Sequence, residues 1–169
     1  MENCKLVPAR WEDIPVYMEI LADGREFQRA QGFVQWLDGY PDCASVEADI
    51  HAGKGYAFVA DGRVAGYLYV GFDGDPAYPE IRGAWRFDGP YAVVHRIAIS
   101  AQFRGRGLTG EVFRLVGELA REKGVDILRI DTHEENLRMR HVLEKNGFAY
   151  CGKVLQSGSD RLAFDKKLG

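Results

Sequence analysis

The segment 93–123 constrains the fold of this chain more than any other. The apolar run VVHRIAIS starts at Val93 and is followed by the arginine- and glycine-rich string QFRGRG. Beyond that string, apolar residues recur at spacings of three and four, namely Leu108, Val112, Leu115, Val116, Leu119 and Ala120. Such spacing is typical of an amphipathic helix, which we expect to end at Gly124. The segment therefore predicts a buried strand, a tight loop and a long helix in direct succession.

The predicted loop has the composition of an anion-binding site. The first turn of a helix leaves backbone N–H groups without intrahelical partners, and the helix dipole places partial positive charge there. Gly105 and Gly107 permit a tight turn and a close approach, because glycine has no Cβ and tolerates positive φ. Arg104 and Arg106 add positive charge. We therefore predict that this loop binds phosphate.

Two well-known phosphate motifs can be compared with this loop. A Walker A loop needs Gly-x-x-x-x-Gly-Lys followed by Ser or Thr, and the sequence contains no such run. Gly105, Gly107 and Gly110 do have the Gly-x-Gly-x-x-Gly spacing of a nicotinamide dinucleotide site, and Asp131 lies about as far downstream as that motif requires. The spacing alone therefore leaves dinucleotide binding open.

The surroundings of the loop favour a different family. The string Gln102–Gly107 matches the Gln/Arg-x-x-Gly-x-Gly/Ala signature of the GNAT superfamily of N-acetyltransferases. Upstream, HRIAIS resembles the fourth strand of that family, and downstream Asn136 and Gly147-Phe148 resemble its Asn-x-x-Ala…Gly-Phe block. These ordered matches cover residues 91–166, and the first half of the chain is less diagnostic. The sequence thus resembles a GNAT acetyltransferase.

The resemblance implies a mixed α/β fold with a mostly antiparallel sheet, one parallel pair of strands at the cofactor cleft, and flanking helices. The predicted elements agree with it. Asp61-Gly62 is a two-residue hairpin signal between strands 55–61 and 63–72. Strand 127–131 should pair parallel to strand 91–100 through a helical crossover. A helix over about 135–146, ending at Gly147, and a hairpin of 148–155 with 161–166 complete the pattern. We expect one domain, 1–169.

The first half of the chain also has predicted elements. A strand is expected over 5–8 and a helix over 11–21, with Pro15 in its first turn. Gly24, Gly32 and Gly39 are expected to delimit a second helical segment and the run QGFVQWLDGYPD. Ser45 is predicted to cap a short helix that extends through residue 51.

Two aromatic residues in that glycine-delimited run are candidates for substrate binding. Trp36 and Tyr40 could line a pocket, since aromatic faces contact apolar and cationic groups, or they could simply pack. Such residues more often simply pack. The family usually holds its substrate with the first two helices and their loop, so the resemblance raises the expectation of pocket lining modestly.

Composition and charge argue against several classes of function. The net charge of −3 and pI near 5.8 argue against a nucleic-acid partner. No apolar run approaches the ~20 residues needed to cross a bilayer, and residues 1–10 lack the apolar segment of a signal peptide. We therefore expect a cytoplasmic protein without a membrane partner. Cys4, Cys43 and Cys151 are scattered and suggest neither disulfides nor a metal site.

The resemblance implies acetyl-CoA as cofactor. Its pyrophosphate would lie on backbone N–H groups of the loop and the first helical turn: Arg104, Gly105, Arg106, Gly107, Leu108 and Thr109. Its pantetheine amides would extend the sheet along Ile97, Ala98 and Ile99, because a strand edge offers main-chain donors and acceptors. A backbone N–H in that stretch would also stabilise the oxyanion formed on attack. Asn136 would bond the pantetheine arm, cap a helix, or do both.

Direct attack by a primary amine requires a base, because such an amine is protonated at neutral pH. His95 is the first candidate. Alternation along the strand would place it on the same face as Ile97, and histidine side chains titrate near neutral pH. A buried structural histidine is an equal alternative. Asp131 and His133, past the end of the neighbouring strand, are the next candidates.

One position departs from the family. Many members carry a general-acid tyrosine seven residues after the asparagine, where this chain has Leu143. We therefore assign no general acid.

Two functions are compatible with the sequence. One is an N-acetyltransferase acting on a small amine, an amino-acid derivative or a peptide amine, and the other is a non-catalytic acyl-CoA-binding sensor or interaction module. The irregular segment 73–89 could cover the active site or form a homodimer contact.

Overall fold

The computed structural model describes residues 3–36 and 39–169. Within them the helices are α1 (Ile14–Ala30), α2 (Cys43–His51), α3 (Leu108–Glu122) and α4 (Leu137–Lys145). The strands are β1 (Cys4–Pro8), β2 (Gly55–Ala60), β3 (Arg63–Gly71), β4 (Arg82–Gly83), β5 (Ala92–Ile99), β6 (Ile127–Thr132), β7 (Ala149–Gln156) and β8 (Ser159–Lys167). Each predicted strand is present, and β4 is an additional short one.

The strands form a sheet in the order β1-β2-β3-β5-β6-β8-β7-β4. The hairpins β2–β3 and β7–β8 are antiparallel, whereas β5 and β6 are parallel and pair through Ala92↔Leu128 and Val93↔Arg129. The parallel pairing follows from the crossover through α3, since a two-residue turn can join only antiparallel strands. The predicted mixed α/β fold with one parallel pair is therefore confirmed.

The chain divides into two compact units. Unit 1 contains the residues up to Val70 together with His95–Leu115, and unit 2 contains Gly71–Val94 and Val116–Gly169. The predicted single domain 1–169 stays a prediction.

Unit 1 packs α1 and α2 on its strands. The core cluster includes the fully buried side chains of Tyr17, Leu21, Val46 and Tyr67. The turn of the β2–β3 hairpin has both central residues in the left-handed region, at φ 51° and 78° for Asp61-Gly62. Those angles match the twist of the flanking strands, as the Asp-Gly signal predicted.

Helix α1 is longer than the sequence predicted. Gly24 does not interrupt it, and the helix runs on to Ala30. A Cβ atom at Gly24 would lie 3.0 Å from the Trp36 ring and 3.2 Å from the Cβ atom of Ala98. The prediction of two helical segments is therefore wrong, because this glycine allows close packing of neighbouring side chains. Pro15 lies in the first turn, as expected.

The cap of α2 also differs from the prediction. Asp42 is the N-cap residue, and its Oδ1 accepts hydrogen bonds from the Ser45 backbone N at 2.9 Å and from the Ser45 hydroxyl at 2.6 Å. Ser45 was predicted as the cap. That prediction is wrong because the helix begins earlier, at Cys43, which makes Ser45 the donor to the capping carboxylate.

Unit 2 contains α4 and the strands that flank it in sequence. Helix α4 ends at Lys145, two residues before the left-handed Gly147, and the N–H of Phe148 donates to the carbonyl of Leu143 at 2.9 Å. This is the helix terminus that the glycine predicted. In segment 73–89, Tyr78 is fully buried and its carbonyl accepts a hydrogen bond from the Trp85 indole at 2.9 Å. These aromatic residues pack inside unit 2, and the predicted lid or dimer role is untested.

Candidate active site

The loop between β5 and α3 has the backbone geometry expected of an anion cradle. After a 3₁₀ turn over Ala101–Phe103, Gly105 and Gly107 adopt φ of 80° and 70°. No heavy atom lies within 4 Å of a Cβ built on either glycine, so the space beside the backbone is open. Helix α3 begins at the next residue, Leu108, and its first N–H groups therefore open onto this loop.

Arginine side chains surround the loop within unit 1. The Arg104 guanidinium lies 4.2 Å from the centre of the Phe27 ring, and that of Arg106 lies 5.1 Å from the Phe103 ring. Arg63 contacts the Phe103 ring at 4.9 Å and also donates to the Gln102 side chain. No sequence motif pointed to Arg63, because this residue is distant from the loop along the chain. These cations favour a bound anion electrostatically.

Strand β5 is irregular where the sequence predicted a regular strand. Arg96 has φ 51°, a left-handed conformation that is uncommon outside glycine. The expectation that His95 and Ile97 point to one face assumed strict alternation, and Arg96 interrupts that alternation. The His95 imidazole lies against Tyr69, with 5.4 Å between ring centres. The role of His95 as a base is untested by this arrangement.

The Arg96 side chain connects β5 to α2. Its Nε donates to Oδ2 of Asp49 at 2.9 Å, and its Nη2 donates to Oδ1 at 2.6 Å. The Tyr67 hydroxyl donates to the same carboxylate at 2.8 Å. Burial is the largest single influence on the pKa of Arg96 and lowers it, but the hydrogen bonds and charges of Asp49 and Tyr40 together raise that pKa above its ordinary value. The pKa of Tyr67 is raised mainly by burial and to a smaller extent by the charge of Asp49.

The two aromatic candidates for substrate binding differ in their surroundings. Trp36 is 6% exposed and packs in the unit 1 core, with its backbone N donating to the side-chain oxygen of Gln28 at 3.1 Å. Its position matches the packing alternative. Tyr40 is 38% exposed, and its hydroxyl oxygen accepts a hydrogen bond from Arg96 Nη1 at 2.9 Å. Leu37 and Asp38, in the same predicted loop, lie outside the described residues.

Asp131 lies in unit 2, in β6. Its Oδ2 accepts a hydrogen bond from the Tyr78 hydroxyl at 2.7 Å and a longer one from the Gln156 amide at 3.4 Å. Burial, followed by the charge of Asp131, raises the pKa of Tyr78. Both of these donors are neutral side chains, and the role of Asp131 as a base stays a prediction. Neither Tyr78 nor Gln156 carried a sequence signal for this contact.

His133, also in unit 2, has one ring nitrogen engaged in a hydrogen bond within the fold. Its Nδ1 accepts a hydrogen bond from the backbone N of Glu135 at 3.0 Å, so the ring nitrogen that would take a proton is already used. Burial, and then the positive charge of Arg161, lowers the pKa of His133. The role of His133 as a base stays a prediction.

Asn136 acts as the N-cap of α4. Its Oδ1 accepts a hydrogen bond from the backbone N of Met139 at 3.2 Å, which is the helix-capping role that the sequence analysis allowed. Further along the same helix, Leu143 is fully buried in unit 2. The departure from the tyrosine pattern therefore places an apolar core residue at that position.

Comparison with known proteins places this chain in a family. The model of the family described as Acetyltransferase (GNAT) family matches residues 21–148. This chain belongs to the GNAT acetyltransferase family. No curated protein sequence matches the chain significantly.

Solved structures agree with the family. A GNAT family acetyltransferase from Streptococcus agalactiae is 35% identical, with a TM-score of 0.91 over 98% of this chain and 96% of its own. One from Listeria monocytogenes is 22% identical, with a TM-score of 0.77 over 98% and 95% of the two chains. AAC(6′)-Ib in complex with ribostamycin and coenzyme A is 18% identical, with a TM-score of 0.70 over 98% and 93%. The Listeria protein and AAC(6′)-Ib are less similar in sequence, and they show only that the fold is the same as that of this chain.

Membership of the GNAT family makes the chain an N-acetyltransferase, and acetyl-CoA is the typical cofactor of this family. The residues present fit such a cofactor, since the left-handed glycines leave open space at the start of α3.

Among residues 3–36 and 39–169, no helix is long and apolar enough to cross a membrane. In the same residues no group of His, Cys, Asp and Glu side chains could hold a metal ion.

Proposed function

We propose that this GNAT protein transfers an acetyl group from acetyl-CoA directly to a primary amine of a small molecule, an amino-acid derivative or a peptide. The loop before α3 supports this function most strongly. Gly105 and Gly107 are left-handed, have open space beside them, and alternate with Arg104 and Arg106 just before a helix N-terminus. Few other local arrangements offer both backbone donors and positive charge to a pyrophosphate.

The cofactor would be held mainly by main-chain groups. Residues 104–109 would donate N–H groups to the pyrophosphate, and residues 97–99 would bond the pantetheine amides as an added strand would. Asn136, in unit 2, caps α4 through its Oδ1, and its predicted hydrogen bond to the pantetheine arm stays a prediction.

The bound cofactor supplies an acetyl thioester to the reaction. In this proposal, His95 removes a proton from the acceptor's ammonium group, directly or through one water, and so produces the nucleophilic amine. A backbone N–H in the stretch 97–99 donates to the carbonyl oxygen on which negative charge develops. A thiol with a pKa of about 8.5 is a tolerable leaving group, so the buried Leu143 does not prevent turnover.

A small-molecule acceptor has support from the structural comparison. AAC(6′)-Ib, which shares the fold, was solved with ribostamycin and coenzyme A together. In this chain, Tyr40 is a half-exposed aromatic residue of unit 1 that could contact such an acceptor.

The first experiment is a calorimetric titration of acetyl-CoA into the purified protein, with NADH as the control ligand. Saturable binding of about one acetyl-CoA per chain and no binding of NADH support the proposal. A panel of primary amines is then assayed for release of free thiol. If acetyl-CoA binds but no amine accelerates thiol release, the sensor function is favoured. If acetyl-CoA does not bind, the loop is not a phosphate site.

Two further predictions belong to this proposal. We expect a cytoplasmic enzyme, which fractionation of the producing cells would test. A homodimer through segment 73–89 predicts twice the monomer mass in analytical ultracentrifugation, and a mass of 19.0 kDa would contradict it.

A further inference from the structure

Arg96 has a strained backbone in the strand that the cofactor is proposed to extend. Its φ of 51° lies in the left-handed region, which residues with a Cβ atom adopt only at an energetic cost. The residue is an arginine, so glycine-like freedom does not explain the conformation. Interactions with the surrounding structure have to offset the strain, and the side chain of Arg96 makes several.

Asp49 supplies those interactions. Both of its carboxylate oxygens accept hydrogen bonds from Arg96, and Oδ2 accepts a further one from Tyr67. Asp49 is 5% exposed and the Arg96 side chain is 16% exposed, so solvent screens this pair only weakly. The Arg96 guanidinium also lies 4.9 Å from the centre of the Tyr69 ring. The Arg96 guanidinium is thus held by hydrogen bonds at its edge and by an aromatic ring against its face.

The ion pair acts on the backbone beside the proposed reacting groups. Arg96 stands between His95, the proposed base, and Ile97, the first residue of the stretch that would donate to the carbonyl oxygen. A left-handed residue in a strand turns the next peptide plane and re-aims the adjacent side chain. The orientation of both groups therefore depends on the conformation that Asp49 stabilises.

Arg96 also fixes Tyr40. Its remaining guanidinium nitrogen, Nη1, donates to the Tyr40 hydroxyl, and Arg25 donates to the Tyr40 backbone carbonyl at 3.2 Å. An arginine can only donate, so the Tyr40 oxygen is the acceptor and its own hydrogen points to another partner. The exposed Tyr40 hydroxyl is thus oriented as a hydrogen-bond donor.

We propose that Asp49 and Arg96 are positioning residues for acetyl transfer, and that they hold Tyr40 as a hydrogen-bond donor to an acyl acceptor that carries an oxygen atom near its amine. This inference rests on the proposed function and adds a substrate class to it. It concerns residues of unit 1 throughout.

The experiment compares Asp49→Asn with a matched control in unit 2. Asp165 is a fully buried carboxylate whose Oδ1 accepts from Arg86 Nε at 2.6 Å, so Asp165→Asn weakens the same kind of ion pair elsewhere. We measure kcat, the KM of each substrate, the calorimetric Kd of acetyl-CoA and the melting temperature. Both variants should melt at lower temperature than the wild type.

The kinetic results should separate the two variants. Asp49→Asn should lower kcat by about 10- to 100-fold while the Kd of acetyl-CoA changes by less than about twofold, because a small misplacement of reacting groups costs rate more than ground-state binding. Asp165→Asn should keep the wild-type kcat. If both variants lose kcat equally, or if Asp49→Asn loses none, the pair is structural and the proposal is wrong.

Tyr40→Phe tests the same proposal with a variant whose fold is not at risk, because the side chain is partly exposed. It should raise the KM of an oxygen-bearing amine by about 3- to 10-fold, the loss of one hydrogen bond, and leave the KM of a plain alkylamine unchanged. Equal effects on the two amines would refute the donor role. Absence of turnover by the wild type refutes the proposed function, whereas wild-type turnover that ignores these variants refutes only this inference.

Discussion

Replacing Gly107 by valine should separate cofactor binding from folding. Gly107 has φ 70°, and a Cβ built on it meets no atom within 4 Å. The cost to folding is therefore the left-handed conformation alone, about 1–2 kcal/mol. For a chain of this size, about 1 kcal/mol lowers the melting temperature by about 2–4 °C, so we expect a fall of about 2–8 °C.

The effect on affinity should be larger. In the proposed site, the valine side chain would occupy the open space through which phosphate reaches the backbone. Each hydrogen bond to a charged group contributes about 1.5–3 kcal/mol. The loss of two such bonds removes about 3–6 kcal/mol, so the Kd of acetyl-CoA should rise by about 100-fold or more.

Gly53→Val provides the matched control. Gly53 belongs to the same unit, has φ 73° and likewise has no atom within 4 Å of a built Cβ. It should show the same fall in melting temperature with an unchanged Kd. Calorimetry and thermal melting of the two variants give the comparison. Equal affinities for the two variants would show that the loop before α3 is not the phosphate site.

Three further predictions follow from the site and its surroundings. His95→Gln should lower kcat by about 100-fold or more with the Kd of acetyl-CoA retained, and an unchanged pH profile of the rate would make His95 structural. The lowered pKa of His133 means that the unfolded chain binds its proton more readily, so stability should fall as the pH drops below about 6.5. Arg161→Met should raise that pKa, which an NMR titration of the imidazole would show, and a further decrease would contradict the assigned cause. Tyr78→Phe removes a 2.7 Å hydrogen bond to Asp131 and should lower the free energy of unfolding by about 1–3 kcal/mol. Urea denaturation measures this change, and an unchanged free energy would mean that the bond adds nothing to stability.

The parts of the site that the sequence predicted are local ones. The left-handed glycines, the helix that begins at Leu108 and the hairpin at Asp61-Gly62 each depend on residues within one turn or one helix. Turn chemistry and apolar periodicity act over such distances, so they can be read without knowing the neighbours in space. The order of these elements also sufficed to predict the parallel pair of strands.

Long-range contacts were not predictable in this way. Asp49 and Arg96 are 47 positions apart, and Tyr78 and Asp131 are 53 apart. No spacing rule connects residues at such separations, because their meeting depends on how whole elements pack. For the same reason Gly24 looked like a helix end, although it makes room for the Trp36 ring.

The sequence by itself thus determined the loop, the helix that follows it and the family to which they belong, because each requires specific residues at fixed local spacing. Only the tertiary structure decided that Arg96 in β5 is left-handed, that it pairs with a buried carboxylate, and that Trp36 packs while Tyr40 is exposed. Backbone strain of this kind persists only when packing and ion pairs from distant elements offset it. Those interactions exist only in the folded chain.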